Sequence, residues 1–228
     1  MSTEQQKPRF AILVVTLAAF LFVLAPLSRE RIGGQTVAPP ILTFVLGVGV
    51  YACAHTRRSF FIALALALPA AVLLWTGSGG EGAEPGTAAW LLLALFIVYL
   101  LTVVGAAVIR ARRVTLDTIL GAIAVYLLLA MVWTLLYAVV ALLDPNAFQL
   151  PSVDAARIDR ARLGTDLPTF VYYSFVTLTT MGYGDVLPLS HAARGLATCE
   201  AVVGQIYLAV LVARLVGLHI VHAERHDD

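Results

Sequence analysis

Between residues 87 and 109 the chain carries no charged side chain, and most of those 23 residues are Leu, Val or Ala. A helix of that length rises about 35 Å, enough to cross the hydrocarbon core of a bilayer. Residues 10–27, 37–54, 60–76, 115–143 and 192–221 are comparably apolar. With 60% hydrophobic and 13% charged residues, the composition does not fit an ordinary soluble domain. Six such runs predict an all-α membrane protein with six transmembrane helices. The first run follows Lys7 and Arg9, but it exceeds a signal-peptide core in length and lacks a small-residue cleavage site. It reads as a retained anchor.

Charge narrows the function classes. A net charge of +1 offers no basic face for nucleic acid. Cys53 and Cys199 sit inside apolar runs and read as small hydrophobes, not as a disulfide or a metal site. No cofactor is expected. If the N-terminus is inside, eight Lys and Arg fall on the cytoplasmic side and six outside, with Arg57, Arg58, Arg110, Arg112 and Arg113 adding most to the bias. That orientation predicts a multi-pass protein of the cell's inner (plasma) membrane with both termini cytoplasmic.

One stretch resists this pattern. "TTMGYGD" (179–185) follows a short helix-forming segment that Asp166 can cap and Pro168 can open. From residue 167 to 179 that helix would be about 20 Å long, too short to cross. It predicts a re-entrant segment: into the membrane as helix, out as extended chain. Non-helical backbone at membrane depth is tolerated only where protein buries it or water reaches it. Gly182 and Gly184 can adopt positive φ at little cost, so successive carbonyls can face one way. A dehydrated cation is a suitable partner for them.

Residues 166–185 resemble the pore helix and selectivity filter of tetrameric potassium channels, whose signature is T-V-G-Y-G-D. The resemblance covers roughly residues 115–221. It implies a homotetramer in the lipid bilayer with K+ as permeant ion. By it, Thr180, Met181, Gly182, Tyr183 and Gly184 coordinate the ion, and Asp185 stands at the outer mouth. Tyr172 and Tyr173 match the aromatic pair behind the filter, Pro188 the proline after it, and Gly204 the inner-helix hinge. The implied organisation is a four-helix scaffold over 1–113 and a pore domain over 114–228. The latter comprises an outer helix 115–143, a turret 144–166, a pore helix 167–179, a filter 180–185 and an inner helix 192–221. Met181 departs from the family's valine, which leaves a weakly selective cation channel as the alternative. Val176 is not ionisable, so no carboxylate from that position braces Asp185.

Residues 1–113 resemble the bundle that precedes the pore in six-span channels. A voltage sensor needs a basic residue at every third position of a span. The fourth run has arginines only at its end, so strong voltage dependence is not expected. No soluble ligand-binding domain is evident. Glu200 lies inside the sixth run, where an acid is a functional candidate. It could brace the filter through Tyr172 or Thr177, or be a protonated contact between helices. Gln205 could face a cavity, and Arg214 should face headgroups or an acidic partner. His219, His222 and His226 read as surface residues. "GYGD" also fits the G-x-G-D signature of intramembrane aspartyl proteases. That chemistry needs a second carboxylate at membrane depth. The candidate, Asp117, sits at the start of its run.

Overall fold

The computed structural model describes residues 9–24, 31–32, 35–36, 38–54, 56–77, 87–111, 114–150 and 167–224. Seven α-helices lie among them: α1 (Arg9–Ala19), α2 (Ala38–Ala52), α3 (Arg57–Gly77), α4 (Thr87–Arg110), α5 (Leu116–Leu143), α6 (Leu167–Leu178) and α7 (His191–Glu224). Two antiparallel pairs of two-residue strands accompany them, β1 (Arg31–Ile32) with β2 (Gln35–Thr36) and β3 (Phe148–Gln149) with β4 (Leu187–Pro188).

Among the described residues four stretches are long and apolar enough to cross a membrane: Arg57–Thr76, Ala88–Arg110, Leu116–Leu143 and His191–Gly217. The chain is a multi-pass membrane protein. The expectation of six spans is overturned. The two N-terminal apolar runs form only the shorter helices Phe10–Phe22 and Pro39–Ala52. Apolar length is not helix length. In the first run the α-helix gives way at Phe20 to a π-helical turn, Phe20–Leu24. In the second, the helix has 15 residues, about 22 Å, before the chain turns at Cys53 and Ala54. Residues 151–166, which hold most of the expected turret and the Asp166 cap, lie outside the described residues. So do Glu81, Glu84, Arg112, Arg113 and His226.

Two apolar cores result. The larger packs Leu13 and Leu17 of α1, Leu46 of α2, Ile97 and Leu100 of α4, and Leu128 of α5. The smaller is aromatic and gathers Tyr137, Phe148, Phe170 and Tyr173.

The helix ends near the start of α5 are closed by side chains. Thr115 caps α5 by accepting from Thr118 N at 3.2 Å. Asp117, in the first turn of α5, accepts from Phe10 N at 3.0 Å and so also serves the N-terminus of α1. Both carboxylate placements suit the positive end of a helix dipole. Arg214 of α7 does the converse at the end of α4. It donates to the carbonyls of Val108 (2.5 Å), Ile109 and Ala111 (2.7 Å each). They lie where a terminating helix leaves acceptors open, although Val108 O also accepts from Ala111 N at 3.3 Å. Arg214 thus faces α4 main chain, not an acidic side chain.

Arg214→Gln removes the charge and the three-pronged donor. It should lower stability by roughly 1–2 kcal/mol. Arg214→Lys, a point charge without the fork, should fall between the two. Thermal melts of the detergent-solubilised protein measure the order; a melting point for Arg214→Gln equal to the parent's would contradict it.

Candidate functional site

The site is built on α6. This helix packs Phe170, Val171, Tyr173 and Ser174 inward against α5 and α7. Tyr173 meets Tyr137 edge-on at 4.8 Å between ring centroids, and Phe148 stands 5.1 Å from Phe170. Such edge contacts fix ring orientation as well as burying area. The Thr134 hydroxyl of α5 reaches the Phe170 carbonyl at 3.4 Å.

At the end of α6 the chain reverses while its N–H groups stay tied to the helix. Thr179 N donates to Phe175 O (3.0 Å) and Thr180 N to Thr177 O (3.0 Å). Met181 N and Gly182 N both donate to Val176 O, at 2.9 and 3.2 Å. From there every second residue is left-handed: Thr180 has φ 58°, Gly182 58° and Gly184 73°. The glycines accept this freely. Thr180 does not, because a β-branched side chain in that region is strained. Among the described residues no hydrogen bond reaches the main-chain carbonyls of residues 180–184. All five residues are exposed, with Met181 at 56% and Tyr183 at 66%. The Thr180 hydroxyl turns back onto the Thr179 carbonyl at 2.7 Å.

The exit of the loop is clamped. Asp185 accepts from Tyr172 Oη at 2.6 Å and from Val186 N at 3.0 Å. Donating to that carboxylate, with some burial, pushes the Tyr172 phenol up to about 12. Tyr172 therefore supplies the brace that Val176 does not. Beyond it, Pro188 lies opposite Phe148 and Leu187 opposite Gln149. Leu189 N donates to Ala147 O at 2.7 Å, and Arg194 Nε to Pro188 O at 3.1 Å.

Behind the loop stands Glu200, fully buried in α7. Its partners are Tyr137 of α5 and Ser174 of α6, each at 2.5 Å, rather than Tyr172 or Thr177. Sequence reasoning missed both. The usable signal was that a buried acid requires donors, and hydroxyls stand on the two neighbouring helices. Gly204 lies farther along the same helix, which runs unbroken from His191 to Glu224. A Cβ at Gly204 would lie 2.8 Å from both the Leu178 carbonyl oxygen and its side chain. Close approach thus requires a glycine there. The same carbonyl accepts from Tyr126 Oη at 3.4 Å. Among the described residues no group of His, Cys, Asp or Glu could hold a metal ion.

Comparison with known proteins points to this half of the chain. A family described as "Ion channel" matches residues 113–218. Protein LctB of Bacillus caldotenax is 34% identical over 105 residues, which cover 46% of this chain and 75% of that protein. No solved structure matches the chain.

The packing at Gly204 yields a paired expectation. Gly204→Ala should cost roughly 1–3 kcal/mol, because the obstacle includes a main-chain oxygen that cannot rotate away. Gly195→Ala, with open space around the added carbon in the protomer, should be neutral or gain up to about 1 kcal/mol from helix propensity. Denaturant or thermal melts of both variants decide it; equal shifts would remove the packing account.

Proposed function

We propose, on the premise that the chain belongs to the ion-channel family, that it conducts potassium passively across the cell's inner membrane through a pore of four copies. The observation that carries this reading is the division of the loop backbone. Its first N–H groups are spent on α6, while the carbonyls of residues 180–184 are free of protein partners among the described residues. Positive φ at residues 180, 182 and 184 suits a backbone whose successive carbonyls face one side. A column of such oxygens replaces the hydration shell of an alkali cation. Thr180, Met181, Gly182, Tyr183 and Gly184 form that column in this reading, and Asp185, held by Tyr172, marks its outer mouth. Tyr173 and Thr177 support the column from α6, and Glu200 supports it from α7.

One strand touches an ion from one side only, so several copies must surround it; four is the number the resemblance implies. The C-terminal end of α6, partially negative, favours a cation beneath the column. In this reading α7 lines the inner path, both termini are cytoplasmic, and gating is not strongly voltage-dependent. Supporting the last point, α4 has no charge before Arg110.

A second reading, a weakly selective cation channel, has one observation in its favour. Met181 stands where the resembled signature has valine, and methionine is a longer and more flexible side chain with which to brace the column. Asp117, the second aspartate that the protease reading would use, is bonded to Phe10 N at the opposite end of α5 from Phe148 and the loop clamp.

Purified protein in liposomes with a potassium gradient should pass potassium and largely exclude sodium. Gly182→Ala and Gly184→Ala, each forcing a side chain into left-handed backbone, should lower flux by about tenfold or more. Equal sodium flux would select the weakly selective reading. A protein silent to every alkali cation would not be a channel of this kind.

A further inference from the structure

Glu200 lies within a span and has no exposed surface. Its two oxygens face different helices. Tyr137 Oη on α5 is 2.5 Å from Oε2, and Ser174 Oγ on α6 is 2.5 Å from Oε1. Ser174 Oγ is also 2.9 Å from the Ala130 carbonyl, which takes the Thr134 hydroxyl at 2.8 Å as well.

A serine hydroxyl carries one proton. It can be given to Glu200 or to Ala130, not to both. Suppose Glu200 were a carboxylate. Ser174 would donate to it, the 2.9 Å contact to Ala130 would hold two acceptors and no proton, and a buried charge would face no cation. Among the described residues the titratable groups that face Glu200 are Tyr126 and Tyr137 on α5 and Tyr173 on α6, none of them basic. An unpaired buried carboxylate is expensive. Suppose instead that Oε1 carries a proton. Glu200 then donates to Ser174, Ser174 donates to Ala130, and Tyr137 donates to Oε2. Every short contact acquires one donor and one acceptor.

We infer that Glu200 carries its proton on Oε1 and donates it to Ser174, joining α7 to α6 as a neutral acid. Glu200 is a positioning residue. Ser174 stands two residues before Val176, whose carbonyl holds the N–H groups of Met181 and Gly182. The joint therefore fixes the part of α6 from which the loop hangs. Its consequence for flux rests on the ion-channel reading; the position of the proton does not.

The test uses full-length protein in liposomes at neutral pH. The infrared difference between the parent and Glu200→Gln should contain the carbonyl band of a protonated carboxylic acid, shifted in D2O. Ser174→Ala should move that band to higher frequency, since the acid loses its acceptor. Glutamine reproduces one donor and one acceptor in the same shape, so Glu200→Gln should keep potassium flux within about threefold of the parent, whereas Glu200→Ala should lose about tenfold or more. An absent band, a band indifferent to Ser174→Ala, or a Glu200→Gln variant as impaired as Glu200→Ala would each overturn the inference. A parent that passes no ion yet shows the band would uphold the proton and defeat only the channel reading.

Discussion

A peptide group withdrawn from water must find a hydrogen-bond partner, and in residues 179–184 the two halves of that demand are met in different places. The N–H groups of residues 179–182 are met at once by α6, through the carbonyls of Phe175, Val176 and Thr177. The carbonyls of residues 180–184 are left open among the described residues. A helix would have satisfied both internally. The left-handed residues at 180, 182 and 184 prevent that and hold the backbone to one pattern. Everything around the loop can be understood as keeping this division rigid. An unpaired carbonyl that could relax would turn toward the nearest N–H.

The rigidity comes largely from α5, which acts as a strut for the whole site. It reaches the Leu178 carbonyl through Tyr126 and Glu200 through Tyr137. Tyr207 on α7 returns the contact, donating to the Ala122 carbonyl at 2.6 Å and stacking on Tyr126. At its far end α5 shares Asp117 with α1. The N-terminal helices are thus tied to the site mechanically. Arg214 adds a second tie by fastening α7 to the last carbonyls of α4.

The parts of this arrangement that depend on local chemistry were readable in the chain. The short helix before "TTMGYGD" is there as Leu167–Leu178, one residue shorter than expected, and Gly182 and Gly184 have positive φ as their lack of a side chain suggested. The expected inner helix over 192–221 lies within His191–Glu224. What depends on helices facing one another was not readable. Thr180 has positive φ although its own preferences oppose it, because bonds to Thr177 and Val176 on either side fix the chain. Glu200 chose hydroxyls on two helices distant in sequence, and Arg214 chose main chain where an acid or headgroup was expected. The six-span count failed for a different reason. Hydropathy measures apolar length, and α2 ends after 15 residues while α1 passes into a π turn.

The unequal burial of the two longest helices indicates where neighbouring copies would belong. Within the single chain, the α5 span is far more buried than the α7 span. Lipid could cover Val202, Ile206 and Val210 on α7. It could not serve Gln205 on the same helix, nor the open carbonyls of residues 180–184, since hydrocarbon offers no hydrogen bonds. A face that combines apolar side chains with polar groups in need of partners suits an interior that is part protein and part water. Identical chains can supply that interior when each one's exposed face meets a different face of the next and the rotation closes. In the proposed pore, closure brings the open oxygens of every copy to a common axis, and Gln205 to the water beneath them. The helix that is least buried alone would then become the most enclosed in the assembly, while α5 would keep its role as the strut between pore and scaffold.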